Sequence, residues 1–173
     1  VVWPPRRDSV FGATGGVMES AIRTLYELVT GHRIDDLFEH ANVEPVRGFE
    51  NIRYAELPIE EVGEVPELLE GVVPDFDWLE GVTLKVAVAH GTANAKKVLE
   101  NIKKGGKLAD CHFIEFMACP GGCLGGGGMP IPTNEEIRSA RAQAIYAEDE
   151  ASEIRKSYEN PAVAKLYKEF LTD

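Results

Sequence analysis

The chain has 173 residues, 44% hydrophobic and 27% charged, which is the composition of an ordinary globular domain. Its formal net charge of −11 argues against nucleic acid as a partner, because phosphate binding requires clustered Lys and Arg. No apolar run is long enough to span a membrane, and three cysteines, an odd number, fit a reducing compartment better than a disulfide framework. We therefore expect a cytoplasmic protein.

The first half of the chain predicts alternating local elements. In chain order they are a glycine-containing turn at 11–16, an amphipathic helix from Val17 to Val29, a short helix at 34–39 and a strand from Ile52 to Leu57. Gly31 is placed to end the first helix, and Pro58 ends the strand. Residues 60–80 are acidic, and we interpret them as a solvated loop without a function.

The second half begins with the clearest alternation. Leu84 to Ala89 is predicted to be a strand, Asn94 to Lys103 a helix, and Cys111 to Ala118 a second strand that is apolar on both faces, as in a buried central strand. Strand, helix and strand make a parallel crossover, so the predicted class is α/β, with any ligand beyond the carboxyl ends of the strands. Two helices follow, one capped by Thr133 or Asn134 and one starting near Pro161.

The segment after the second strand contains the residues suited to metal chemistry. Cys119 leaves the strand, Pro120 fixes a turn, and Cys123 follows four residues later. Between them Gly121 and Gly122 leave the backbone free to approach a cofactor and to direct N–H groups at it. Two thiolates in such a loop suit an iron–sulfur cluster. The glycines of 125–128 predict a bulky ligand where side chains would otherwise lie.

This segment also carries a family resemblance. The string Glu115-Phe116-Met117-Ala118-Cys119-Pro120-Gly121-Gly122-Cys123 resembles the third signature motif of iron–iron (FeFe) hydrogenases. Similarity extends to residues 10–19, 84–103, 131–134 and 154–161, and so covers nearly everything from Ser9 to the end. The resemblance implies that residues 1–173 are the C-terminal lobe of the hydrogenase catalytic domain, with a cluster loop at 115–130 and a helical, small-subunit-like tail at 131–173.

The family interconverts protons plus electrons and dihydrogen at its H-cluster. This cofactor is a 4Fe–4S cubane joined through one cysteine thiolate to a two-iron unit that carries carbon monoxide, cyanide and a dithiolate bridge. The resemblance implies that Cys119 binds the cubane and that Cys123 is the shared thiolate. It also implies that Met117 and Phe11 line the two-iron pocket, although simple packing is an alternative for both.

Other polar side chains near the motif have less specific interpretations. We interpret Cys111 as a buried thiol without a ligand role. His90 could be a ligand, but its place after a strand favours a role in the strand-to-helix turn. Glu115 lies on a buried strand, where a carboxylate needs partners, and we expect it to orient the loop through hydrogen bonds.

The motif supplies two cysteines, whereas a cubane needs about four. In the family the remaining ligands come from motifs that do not occur here, so the resemblance implies a protein segment or subunit that carries them. It also implies an electron-transfer partner, either ferredoxin-like or NADH-linked. Two residues depart from the family pattern, since Met129 replaces a usual glutamine and Tyr158 a usual histidine.

Two other classes of protein are alternatives, a non-catalytic protein of the same fold and a purely structural module. A hydrogenase-like protein can bind iron–sulfur clusters without the two-iron unit and serve in cluster assembly, or it can act as a hydrogen sensor. The intact second cysteine, Cys123, argues against the assembly type, because it has a clear role only beside a two-iron unit. A purely structural module would leave the glycine run unexplained.

Overall fold

A three-stranded sheet organises the part of the chain that the computed structural model describes, residues 9–32, 51–64 and 76–171. Strand β1 (Ile52–Pro58) is antiparallel to β2 (Thr83–His90), and β2 is parallel to β3 (Phe113–Met117). Helix α2 (Thr92–Lys103) connects the two parallel strands. The predicted α/β class and its parallel crossover are thus confirmed. The short helix predicted at 34–39 lies outside the described residues.

Helix α1 (Gly16–Thr30) covers one face of the sheet. Met18, Ile22 and Val29 of the helix form an apolar core with alternating residues of β1 and β2, among them Leu57 and Val88. The helix ends as predicted: Gly31 is left-handed, with φ of 68°, and its N–H donates to the carbonyl of Glu27.

The other face of the sheet packs on α2. Val98, completely buried, contacts a cluster that includes Ala87 and Ala89 of β2. β3 departs from its prediction as a buried central strand, since it is shorter and forms the edge of the described sheet. Phe113 and Phe116 of this strand are 46% and 43% exposed. Apolar side chains on both faces did not ensure burial.

The tail is helical, as predicted. Helix α3 (Glu135–Glu150) begins at Asn134, whose Oδ1 accepts a hydrogen bond from the N–H of Ile137 at 2.8 Å, so Asn134 rather than Thr133 is the cap. Helix α4 (Pro161–Leu166) continues into a wider turn at Tyr167–Leu171. Within the described ranges, no helix has the length and apolar character needed to cross a membrane.

Buried ion pairs join the tail to α1. Asp149, near the end of α3, pairs with Arg23 at 2.9 Å and with Arg155 at 2.8 Å. Lys156 pairs with Glu27 of the same α1 helix. Asp149, Arg23 and Lys156 are all nearly inaccessible to solvent, so each of these charges depends on its partner for compensation. The tail is therefore fixed against α1 by buried charge pairs.

Candidate metal centre

Strand β3 leads directly into the loop that holds both motif cysteines. The N–H of Gly122 donates to the carbonyl of Cys119 at 3.0 Å and closes a turn between the two cysteines. Gly121 and Gly122 have φ of 79° and 83°, a left-handed conformation that glycine adopts without steric penalty. Cys123 then begins a short 3₁₀ turn. The predicted glycine turn between the cysteines is therefore present.

The two motif thiols are free and accessible. Cys119 is partly buried, Cys123 is exposed, and neither forms a disulfide. A Cβ atom at Gly126 would lie 3.2 Å from Cys119 Sγ, so this glycine keeps space open beside the thiol. A pair of thiols matches the ligand preference of iron–sulfur clusters. Among the described residues, however, no group of three or more His, Cys, Asp or Glu side chains makes a complete metal site.

The turn before α1 packs under the cysteine loop. Ala13 and Gly122 form an isolated antiparallel bridge, and the N–H of Thr14 donates to the carbonyl of Gly121 at 3.3 Å. A Cβ atom at Gly122 would lie only 2.8 Å from both Met117 Sδ and the Thr14 nitrogen. Three parts of the chain therefore meet at a position where no side chain fits.

The structure brings the two predicted pocket residues into this neighbourhood in different ways. Met117 is partly buried, and its sulfur lies against Gly122. Phe11 belongs to the 3₁₀ turn Ser9–Gly12, just before the residues that contact the loop, and is 36% exposed. Their role in lining a two-iron pocket stays a prediction.

Glu115 is the buried carboxylate of β3, with 6% exposure. Its Oε1 accepts from the N–H of Gly15 and its Oε2 from the N–H of Met18, both at 2.6 Å. It makes hydrogen bonds as expected, but to the start of α1 rather than to the cysteine loop. Because helix N-termini favour negative charge, the pairing satisfies both partners. Arg53 of β1 adds a 3.2 Å hydrogen bond to the carbonyl of Thr14.

His90 has a contact that the sequence did not reveal. Its carbonyl accepts from Asn94 Nδ2 at 2.8 Å, which fits the predicted role in the strand-to-helix turn. Its buried side chain acts elsewhere, because Nδ1 accepts the N–H of Gly121 at 2.9 Å. The available signal was its place at the carboxyl end of β2, where the parallel register pairs it with Met117.

The hydrogen bonds of the two glycines change one expectation. The N–H of Gly121 is used by His90, and that of Gly122 by Cys119. These two groups were expected to point at a cofactor, but they stabilise the turn instead. Because Gly122 has no side chain, the cysteine loop can approach Met117 and the turn before α1 closely.

Helix α3 holds the far side of the loop. Arg141 donates from Nη1 to the carbonyl of Leu124 at 2.7 Å and from Nη2 to that of Pro130 at 2.9 Å. A Cβ atom at Gly125 would lie 2.8 Å from Arg138 Cδ, so a protein side chain, rather than a ligand, occupies that space. Gly127 and Gly128 have nothing within 4 Å of a Cβ position. The prediction from the glycine run is thus corrected at Gly125.

Cys111 lies before β3, at the opposite end from the cysteine loop. Burial raises the pKa of its thiol, and the negative charge of Asp110 raises it further. A raised pKa disfavours the thiolate form that metals bind. Cys111 is only partly buried, so the prediction of a buried thiol is corrected, while its raised pKa agrees with the absence of a ligand role.

Hydrogenases are among the known proteins to which this chain is similar. The NADP-reducing hydrogenase subunit HndD of Solidesulfovibrio fructosivorans is 39% identical over 94% of this chain, which spans 23% of that protein. A solved structure of a variant of [FeFe]-hydrogenase HydA1 from Chlamydomonas reinhardtii is 39% identical, with a TM-score of 0.66 over 94% of this chain and 42% of that one. The chain therefore corresponds to only a part of these relatives.

A different kind of protein is also similar. A probable cytosolic Fe-S cluster assembly factor of Culex quinquefasciatus is 37% identical over 52% of this chain and 18% of its own length. Residues 135–173 match the family described as "Iron hydrogenase small subunit". Residues 4–127 match "Iron only hydrogenase large subunit, C-terminal domain", and the chain belongs to that family.

Proposed function

We propose that this chain is the C-terminal part of the catalytic domain of an FeFe hydrogenase, in which Cys119 and Cys123 ligate the H-cluster. The observation that carries the proposal is the loop itself. Its two free thiols are accessible, while its backbone is held by the turn before α1, by His90 and by Arg141. A loop anchored on three sides presents two soft ligands with little reorganisation on binding.

Each site residue has a defined part in this proposal. Cys119 binds the cubane, and Cys123 is the thiolate shared with the two-iron unit. Gly121 and Gly122 allow the backbone to approach the cofactor, while Met117 and Phe11 line the pocket of the two-iron unit. When bound, the H-cluster supplies the chemistry that interconverts protons plus electrons and dihydrogen. The chain contributes the ligands and holds them in place.

The remaining cluster ligands come from another protein segment or subunit. This chain spans 23% of the HndD subunit, which leaves room for such a segment in a complete enzyme. Electrons are exchanged with a ferredoxin-like or NADH-linked partner. The cytoplasmic location expected from the cysteine count belongs to the same proposal.

Iron–sulfur cluster assembly is the second candidate function. The similarity to an assembly factor over 52% of the chain supports it. The two functions differ in what Cys123 binds. In both cases Cys123 can ligate the cubane, but only in a hydrogenase does the same thiolate also bind the two-iron unit. Carbon monoxide and cyanide absorb in a part of the infrared spectrum free of protein bands, so they report the two-iron unit directly.

The test uses the full-length protein, matured with its two-iron unit, and the variants Cys119→Ser and Cys123→Ser. We expect hydrogen evolution and infrared bands of carbon monoxide and cyanide in the wild type. C123S should lose both, and C119S should lose iron from the cubane, because a serine oxygen is a poor ligand for iron–sulfur chemistry. Cys111→Ser is the control and should keep both signals.

Wild-type hydrogen evolution by C123S would contradict the assignment of the shared thiolate. Stable iron–sulfur clusters without infrared bands in the matured wild type would favour the assembly function.

A further inference from the structure

We propose that His90 is a positioning residue for the cluster loop. Its Nδ1 atom holds the Gly121 peptide group, which lies between the two cysteines. The inference rests on the proposed function, because it concerns the same loop. His90 acts through the backbone that joins the two cysteines.

The acceptor is preorganised. The backbone N–H of His90 donates to the carbonyl of Asn51, and its carbonyl accepts from Asn94, so both backbone groups are fixed at the end of β2. The next N–H, of Gly91, donates to the carbonyl of Met117 at 2.8 Å. The imidazole therefore extends from a strand end that is tied to the very strand that leads into the loop.

The donor has a corresponding need. Gly121 is buried, and a buried N–H without a partner is destabilising. At 2.9 Å, its hydrogen bond to Nδ1 requires that this nitrogen carry no proton, so the neutral ring carries its proton on Nε2. The side chain is thus committed to one ring orientation and one tautomer.

The consequence for the loop comes from the number of restraints on one short turn. The Pro120–Gly121 peptide is fixed by His90 at its N–H group. The Gly121–Gly122 peptide is fixed at its carbonyl by Thr14 and at its N–H by the carbonyl of Cys119. A left-handed glycine can rotate its peptides with little steric resistance. Removing His90 therefore frees the Pro120–Gly121 peptide plane, whose N–H group it holds.

A rotated peptide plane changes the direction of a backbone dipole beside the cluster. Hydrogen bonds and dipoles around the sulfur atoms influence the electronic state of an iron–sulfur cluster. Loss of the His90 hydrogen bond should therefore change the spectrum of the cluster as well as the mobility of the loop. Loss of a side chain that only packs would not change the spectrum.

The experiment compares His90→Leu with His90→Asn in the full-length protein. Leucine has a similar size without an acceptor, whereas the Oδ1 of asparagine lies close to the position of Nδ1 and can accept the same N–H. His112→Leu is a matched control, since His112 Nδ1 also accepts a backbone N–H, that of Lys85 at 3.0 Å, but on an exposed part of the sheet.

Two quantities are measured. Hydrogen exchange of a peptide spanning 118–124 is followed in the cluster-free protein, where H90L should accelerate exchange at Gly121 by about fivefold, as expected for the loss of one hydrogen bond. The electron paramagnetic resonance spectrum of the reduced cubane is recorded in the loaded protein, where H90L should alter the spectrum. H90N and H112L should match the wild type in both measurements.

Unchanged exchange and spectrum in H90L would overturn the inference, as would equal changes in H112L. Equal changes in a folded H90N would also overturn it, because the ring rather than its acceptor would then matter. If H90L does not fold, His90→Gln replaces it, since glutamine moves the acceptor one carbon further out. A wild type that binds no cluster would contradict the proposed function, while the exchange measurement would still test His90.

Discussion

The carboxylate of Glu115 accepts a 2.6 Å hydrogen bond from the N–H of Met18, although the two residues lie 97 positions apart. Met18 belongs to the first turn of α1, whose N-cap residue, Gly15, has no side chain with which to cap the helix. A carboxylate from β3 supplies the missing acceptor. The strand that leads to the cysteine loop and the helix that covers the sheet are therefore joined at one buried charge.

Replacing Glu115 with glutamine tests this connection. The variant Glu115→Gln keeps the shape of the side chain, but its NH₂ group faces one of two backbone N–H donors, so one hydrogen bond is lost. We expect the free energy of unfolding to fall by about 2 kcal/mol, since hydrogen bonds to charged groups are worth roughly 1.5–3 kcal/mol. Urea denaturation measures it. Glu100→Gln, on the exposed surface of α2, should change it by less than about 0.5 kcal/mol. Equal effects of the two variants would show that the buried charge is not needed.

The ion pairs of the tail give a second prediction. Asp149→Asn removes a buried charge that compensates Arg23 and Arg155, and we expect a loss of about 3 kcal/mol of stability. Limited proteolysis should then cut residues 150–171 faster, because the tail loses one of its two buried ion-pair attachments to α1. Lys96→Met removes an exposed ion pair at 3.9 Å and is the control, with an expected effect below about 0.5 kcal/mol. An unchanged cleavage rate in the first variant would mean that other contacts, such as the ion pair between Lys156 and Glu27, are enough to hold the tail.

Two glycines of the loop form a matched pair for a third prediction. Gly122 and Gly128 both have positive φ, 83° and 89°, but a Cβ atom would clash at the first and meet open space at the second. Gly128→Ala should therefore lower stability by about 1 kcal/mol, the conformational term alone. Gly122→Ala should lower it by about 2–4 kcal/mol, because Met117 Sδ and the Thr14 nitrogen must also move. Thermal unfolding of both variants is the measurement, and similar midpoints would contradict the crowded geometry.

A fourth prediction concerns pH. Burial, and then Asp110, raises the pKa of the Cys111 thiol, so less thiolate forms at any pH below that value. Alkylation of Cys111 by iodoacetamide should be slow at pH 8 and should accelerate as the pH rises. Asp110→Asn removes the second cause and should speed the reaction at pH 8 in a protein that still folds. Mass spectrometry of the Cys111 peptide follows the rate. No acceleration in the variant would mean that burial alone controls this thiol.

Much of the architecture followed from local patterns. The helical spacing from Val17 to Val29, the strand from Ile52 and the β2–α2–β3 crossover were all predicted, because periodicity and glycine or proline ends act over a few neighbouring residues. The motif from Glu115 to Cys123 likewise indicated the family that the comparisons confirm.

What the sequence could not give were contacts between residues far apart in the chain. Glu115 was expected to orient the cysteine loop but caps α1. For His90 a role in its own turn was favoured over a ligand role, but its side chain holds Gly121. β3 was predicted to be a central strand, and only its pairing showed that it forms the edge of the described sheet. Residue type and spacing determine which groups need partners. Which partners they find depends on how the tertiary structure brings distant strands, turns and helix ends together, because hydrogen bonds and ion pairs act over only a few ångströms.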